Sequence, residues 1–454
     1  MHAFLKFHSP TPGSPQAHIL GRTLAAFFLA GLGAVAALPA QAGPTIKVIA
    51  SFLGSGTGSS YTNGSEPRSG VILDSSGNLF GTAYYGGPDD RGTVYEVVKG
   101  TNTVKALTAF SGYNGGGSPG SYPTGGITMD GGGNIYGATE TGGKGNAGTI
   151  YKLPSGASTA TTLATFPGGQ YAEISRTGLI SDSSGNLYGG IHYNGASDAQ
   201  HDAVYELVNG SSAVTTLASF NPSFGDISAL TLDGSGNIFG TTDFGGAFNN
   251  RNSYGNGSIF EIAKGSGTVT TLASFDGTNG YSPQGGITFD GAGNMFGTTT
   301  LGGAFNKGTI FEFAKGSTAI TLLASFTTNT DSPEAGVTLD GAGDIFGTTP
   351  YGGPANSGNV YELVKGSSAI TTLASFDGAN GGGPFAKVTL DSSGNLYGTT
   401  QRGGTNGGGT VFGIPGVGAP APAVPEASSV ISLGLLLGLG GVCLMVRKRT
   451  KPAA

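Results

Sequence analysis

His192, Asp198, His201 and Asp202 bring two imidazoles and two carboxylates into one short stretch of the chain. Groups of these types at this density can bind a transition metal or exchange protons near neutral pH. The spacing argues against both. Two histidines nine residues apart match no recognised ligand motif, and no Glu or Cys completes a zinc set. The expectation is therefore a solvated, variable loop with no metal ligand and no catalytic residue. His192 and His201, the only histidines after His18, remain candidates for ligand contact, as does Tyr281. No G-x-S-x-G elbow is present, and the glycines occur without a phosphate-loop lysine. No cofactor is expected.

Charge removes another class. Between Gly43 and Glu426 there are 15 basic and 27 acidic residues, so a nucleic-acid backbone would be repelled. The remaining carboxylates follow a pattern of their own. DGAGNMFGTT, from Asp290, recurs as DSSGNLFGT from Asp74, DGGGNIYGA from Asp130, DSSGNLYGG from Asp182, DGSGNIFGT from Asp233, DGAGDIFGT from Asp340 and DSSGNLYGT from Asp391. The seven aspartates are separated by 56, 52, 51, 57, 50 and 51 residues. A period of about 53 residues is the span of a four-stranded propeller blade.

Each period holds four short β-prone segments divided by turn residues. In the fifth copy these are GITF before Asp290, NMFGTT, GTIFEF and ITLLASF. Asp-x-x-Gly puts a carboxylate at the first position of a type I turn and glycine where a positive φ is needed, which joins the first two strands. A calcium loop needs alternating oxygen ligands, and these copies carry Gly, Ser or Ala there.

Aromatic residues keep the same beat. Second strands carry Phe80, Tyr136, Tyr188, Phe239, Phe296, Phe346 and Tyr397; third strands carry Tyr95, Tyr151, Tyr205, Phe260, Phe311, Tyr361 and Phe412. Fourth strands carry Phe52, Phe110, Phe166, Phe220, Phe275, Phe326 and Phe376. Periodic rings of this kind fill the space between neighbouring sheets.

The phase of the repeats selects a closed ring over an open solenoid. The seventh copy ends at GTVFGIP without a fourth strand, while KVIASF, from Lys47 to Phe52, stands alone before the first copy and matches TTLASF. Pairing the two ends removes an exposed sheet edge. The expected fold is an all-β, seven-bladed propeller of four-stranded blades over residues 43–415, closed by an N-terminal strand. The tight Asp-x-x-Gly and Lys-Gly-Ser turns then share one face. The longer loops, including DGTNGYSP and DGANGGGP, share the other, where a ligand is expected.

The ends of the chain read as addresses. Lys6 and Arg22 precede the apolar run from Thr23 to Leu38 and the small-x-small site Ala40-Gln41-Ala42, so residues 1–42 read as a secretory signal cut after Ala42. A Pro/Ala linker, 416–423, leads to Val424, Pro425 and Glu426, a 17-residue apolar run, and Arg447, Lys448 and Arg449. At about 1.5 Å per residue the run reaches about 26 Å, close to a bilayer's hydrocarbon thickness. The basic cluster would stop transfer and stay cytoplasmic. Cys443 lies in that run, so the exported part holds no disulfide.

Two resemblances follow from these residues. The tail over 424–454 resembles a PEP-CTERM sorting signal, reading V-P-E-A where V-P-E-P is usual. That implies an exosortase-type processing enzyme as partner, an inner-membrane anchor before processing through a C-terminal transmembrane helix, and then release to the bacterial cell surface or extracellular matrix. The array resembles the GloVer tandem-repeat family through GNLFGT or GNLYGT, the GG doublets such as Gly86-Gly87 and Gly302-Gly303, and G-T-[VI]-[FY]. That resemblance implies export and anchoring and supplies no catalytic residues. Two functions are weighed: a non-enzymatic protein that binds an extracellular polysaccharide or surface protein, or that builds the envelope, and an extracellular propeller enzyme, a lyase or glycan hydrolase, with its site on the long-loop face.

Overall fold

The computed structural model describes residues 44–54, 62–112, 119–166, 172–174, 178–193, 202–220, 225–248, 255–327 and 332–418. The signal segment and its cleavage site at Ala42, the sorting motif at Val424–Glu426, the stop-transfer cluster and the transmembrane sorting helix all lie outside these residues. Among the described residues no helix is long and apolar enough to cross a membrane.

Seven antiparallel sheets make up the array, one for each Asp-x-x-Gly copy. The fifth is representative: Thr288–Phe289, Met295–Thr299, Thr309–Phe313 and Thr321–Ser325 pair in sequence order. The seventh takes its outer strand from the start of the chain, Lys47–Ser51, which pairs antiparallel with Thr410–Ile414. The expected closure is present. The third blade departs from the four-stranded plan. Its first strand is split, so that Ala172–Ile174 and Ile180–Ser181 both pair with Leu187–Tyr193.

The fourth-strand ring of each blade meets the third-strand ring of the next edge-on. Phe110–Tyr151, Phe166–Tyr205, Phe220–Phe260, Phe275–Phe311, Phe326–Tyr361 and Phe376–Phe412 have centroids 4.8 to 5.1 Å apart. Phe52, on the N-terminal strand, meets Tyr95 of the first blade at 4.9 Å and completes the circle. These are edge-to-face geometries that the ring quadrupole favours. The second-strand rings divide: Phe80, Phe239 and Phe346 are buried, while Tyr136, Tyr188, Phe296 and Tyr397 are half-buried.

This packing explains the glycine in F-G-T and Y-G-T. A Cβ at Gly297 would lie 2.6 Å from Cζ of Phe311, and one at Gly347 would lie 2.3 Å from the Tyr361 hydroxyl. The tip of the third-strand ring presses on the second strand here, and only glycine leaves room. The threonine after that glycine ties blades together: Thr298 donates to the Ala335 carbonyl at 2.7 Å and Thr399 to the Ser69 carbonyl at 2.8 Å.

The Asp-x-x-Gly turns form as expected. Asp290 Oδ1 accepts the Ala292 and Asn294 amides at 2.9 and 2.8 Å, and Gly293 takes a φ of 88°. The residue after the glycine adds a link between hairpins. Asn294 Oδ1 accepts the Lys315 amide at 3.0 Å, which joins the first tight turn to the Lys-Gly-Ser turn. The same bond recurs in the other six blades, with Asp344 replacing asparagine in the sixth. Both tight connections therefore lie on one face, and the longer loops lie on the opposite one.

Candidate functional site

The long-loop face is built on a backbone device that recurs. The segment entering a blade bridges the residue before the GG doublet: Ser65 with Tyr85, Tyr281 with Leu301 and Gly382 with Arg402. The next residue then turns left-handed ahead of a proline. Glu66, Tyr122 and Ser282 have φ of 51°, 58° and 57°, in a region that L-residues seldom occupy. Non-glycine residues held there concentrate at ligand clamps and active sites.

At blades one and two this device assembles an aromatic cluster. Tyr122 stacks on Tyr84 with centroids 5.1 Å apart and an interplanar angle of 27°. Tyr85 meets both rings edge-on, at 4.8 Å from Tyr84 and 5.9 Å from Tyr122. The Arg68 guanidinium lies 3.6 Å from the Tyr84 centroid and is braced by Glu66 at 3.1 Å. The Tyr84 hydroxyl donates to Glu140 Oε2 at 2.6 Å. Burial, then this hydrogen bond to a carboxylate, raises the Tyr84 hydroxyl well above the usual tyrosine range. Tyr84 is therefore a fixed donor rather than a base. Arg68 is exposed, while Glu66, Tyr85, Arg91, Tyr122 and Glu140 are half-buried. The result is a polar-edged aromatic platform.

Further around this face, Phe244, Phe248, Phe305 and Tyr351 are exposed beside the GG loops. Asp243 carries a carboxyl raised above its ordinary value: burial raises it, and hydrogen bonds from Ser282 and Gln284 only partly offset that. On the opposite face a cavity of about 450 Å³ lies between blades two and three, lined by Asp130, Tyr136, Asp182 and Asn209. Its two carboxylates are already committed to their turns.

Tyr281 lies on the long-loop face, half-buried and bridged to Leu301, at blade five and so apart from the tyrosine cluster. The backbone of His192 extends the second strand of blade three and pairs with Glu173. His201 and Asp198 lie outside the described residues. Asp202 is buried, and its Oδ2 accepts the Ile227 amide at 2.9 Å, so it fastens the next blade's first strand. Of these four residues, Asp202 alone has a described side chain. No group of three or more His, Cys, Asp or Glu suited to a metal occurs among the described residues. Sequence reasoning passed over Tyr84, Tyr85 and Tyr122 because they fall outside the periodic ring positions. The pre-proline contexts S-E-P, S-Y-P and Y-S-P were the available signal.

The family model of the Gloeobacter/Verrucomicrobia repeat matches residues 29–253 and 226–419. The chain belongs to that repeat family, and its fold is the all-β, seven-bladed propeller described above. Comparison with curated proteins returns no match. Among solved structures, a puromycin-hydrolysing peptidase of Mycobacterium tuberculosis is similar at 9% identity with a TM-score of 0.51, over 81% of this chain and 54% of that one. The extracellular domain assigned to a hybrid two component system of B. thetaiotaomicron matches at 12% identity and a TM-score of 0.49, over 80% of this chain. This chain spans 39% of that domain's length. An oligogalacturonate lyase of Vibrio parahaemolyticus matches at 10% identity and a TM-score of 0.49, over 78% of this chain and 89% of that one. At these identities the likeness concerns the fold alone.

Proposed function

We propose that the protein is an exported, surface-displayed or matrix propeller that binds an extracellular polysaccharide on its long-loop face without turning it over. The observation that carries this reading is the Tyr84–Tyr122 stack, with Arg68 over the Tyr84 ring and Tyr85 and Glu140 at its edge. Aromatic faces take the apolar faces of sugar rings, and a guanidinium and a carboxylate beside them can hydrogen-bond hydroxyls or pair with uronate carboxylates. Preformed polar–aromatic surfaces on loops over a stiff scaffold are the usual seat of recognition. A panel of neutral and acidic polysaccharides in affinity electrophoresis, with a reducing-end assay alongside, tests both halves of the proposal. Retarded migration without new reducing ends or unsaturated products is expected; turnover of any polysaccharide would move the protein into the enzyme class.

The address rests on the two ends of the chain. A signal cut after Ala42 would export the propeller. The segment from Val424-Pro425-Glu426 through Arg447, Lys448 and Arg449 would hold it at the inner membrane until an exosortase-type enzyme releases it. Mass spectrometry of the mature protein from its host is expected to find no peptides beyond the Pro-Glu motif. Recovery of intact tail peptides from the mature form would contradict that route.

A further inference from the structure

The inner strands of neighbouring blades touch through one ring of small residues. Four positions before each turn aspartate stand Gly70, Gly126, Gly178, Ala229, Gly286, Gly336 and Lys387. A Cβ on Gly70 would lie 2.6 Å from the Lys387 carbonyl oxygen, one on Gly178 would lie 2.5 Å from the Gly126 nitrogen, and one on Gly336 would lie 2.8 Å from the Gly286 oxygen. Six blades therefore put glycine or alanine at this level of the axis. The seventh puts a lysine there.

Lys387 does not fold back along its own blade. Its Nζ reaches Thr288 Oγ1, 2.8 Å away, on the inner strand of blade five. Blade six lies between the two, so the side chain spans the lumen. Thr288 in turn donates to the Val337 carbonyl, so it can only accept from the ammonium. Two positions before the turn aspartates stand Ile72, Thr128, Ile180, Thr231, Thr288, Thr338 and Thr389, with no charged residue among them. The hydroxyls of Thr338 and Thr389 are spent on the Val388 and Val71 carbonyls. The ion pairs found among the described residues, Arg68–Glu66 and Lys105–Glu96, do not involve Lys387.

We propose that the axial channel is a binding site for a small monocarboxylate, with the Lys387 ammonium as its receptor. An ammonium has three donors, and Thr288 takes one. Two N–H groups remain for the two oxygens of a carboxylate. Charge sets the class: Lys387 is the one cation among the described residues at these two positions, and a monocarboxylate brings the single negative charge that neutralises it. Lys387 is exposed to solvent. Its deep protein surroundings nonetheless lower the ammonium pKa to about 8, the cost that a bound anion would relieve.

The test uses acetate as probe and the full chain, followed by thermal denaturation at pH 6.5–7 and fixed ionic strength, with chloride replaced stepwise by acetate. The wild-type protein is expected to show a saturating rise in Tm, and Lys387→Ala to lose it. Because six blades already carry Gly or Ala at this position, Lys387→Ala should fold. Thr288→Val, which keeps the ammonium and removes its tether, should retain the acetate response with a shifted midpoint. An identical Tm response in wild type and Lys387→Ala would overturn the proposal, as would a wild-type response that chloride reproduces.

Discussion

At the scale of single residues, what looks like low-complexity glycine is a set of steric requirements. Gly297 is needed because Phe311 lies over it, whereas Gly291, in the adjacent turn, has nothing within 4 Å and no positive φ. Gly297→Ala is therefore expected to lower unfolding free energy by about 1–3 kcal/mol through overpacking, while Gly291→Ala stays near wild type. Equal urea midpoints for the two variants would contradict the packing assignment. The turn aspartates give a pH signature. Burial opposes ionisation of Asp130, Asp182, Asp233, Asp290 and Asp391, but hydrogen bonds from the following asparagine and the turn amides outweigh it and hold each carboxyl below its usual value. A carboxyl depressed in the folded state binds fewer protons than the unfolded chain. Its contribution is present above about pH 4 and is lost as pH falls through the folded value. Thermal scans are expected to show Tm falling below about pH 4, with Asn294→Ala removing part of that slope. A flat profile down to pH 2 would remove these turns from the stability account.

At the scale of elements, the ring closure was legible because the repeat runs out of phase with the chain ends: one strand is spare at Lys47 and one is missing after Ile414. Deleting residues 46–52 is expected to expose the third strand of the last blade and to empty the space beside Tyr95. The loss of Phe52 alone should cost about 3–5 kcal/mol. An unchanged Tm in the truncated protein would contradict the closure. Other features of the same blades were hidden. The asparagine after each turn glycine is periodic, but its role depends on a partner amide 21 to 27 residues away, and periodicity does not name partners. The inner strands shrink to two residues in four blades, where their remaining backbone gives way to close contacts around the axis. The split first strand of blade three follows from a local departure in loop sequence that no repeat average predicts.

At the scale of the whole molecule, the two faces divide labour. One carries the tight turns, locked to each other by the Asp–Asn–amide links. The other collects the GG loops, the left-handed pre-proline residues and the exposed aromatics. That division followed from antiparallel connectivity and was readable in the sequence. The aromatic cluster upon it was not, because Tyr84 and Tyr122 come from different blades and meet only in three dimensions. His192 and His201 were singled out because their blade departs from the pattern and Tyr281 because it lies in a long loop, whereas the aromatic cluster uses residues beside the periodic beat of the repeat itself. The most direct test of the binding face compares two variants on the best polysaccharide from the panel. Tyr122→Ala is expected to weaken binding at least tenfold, and Lys315→Ala, on the tight-turn face, to leave it unchanged. Loss of affinity in Lys315→Ala with retention in Tyr122→Ala would place recognition on the opposite face.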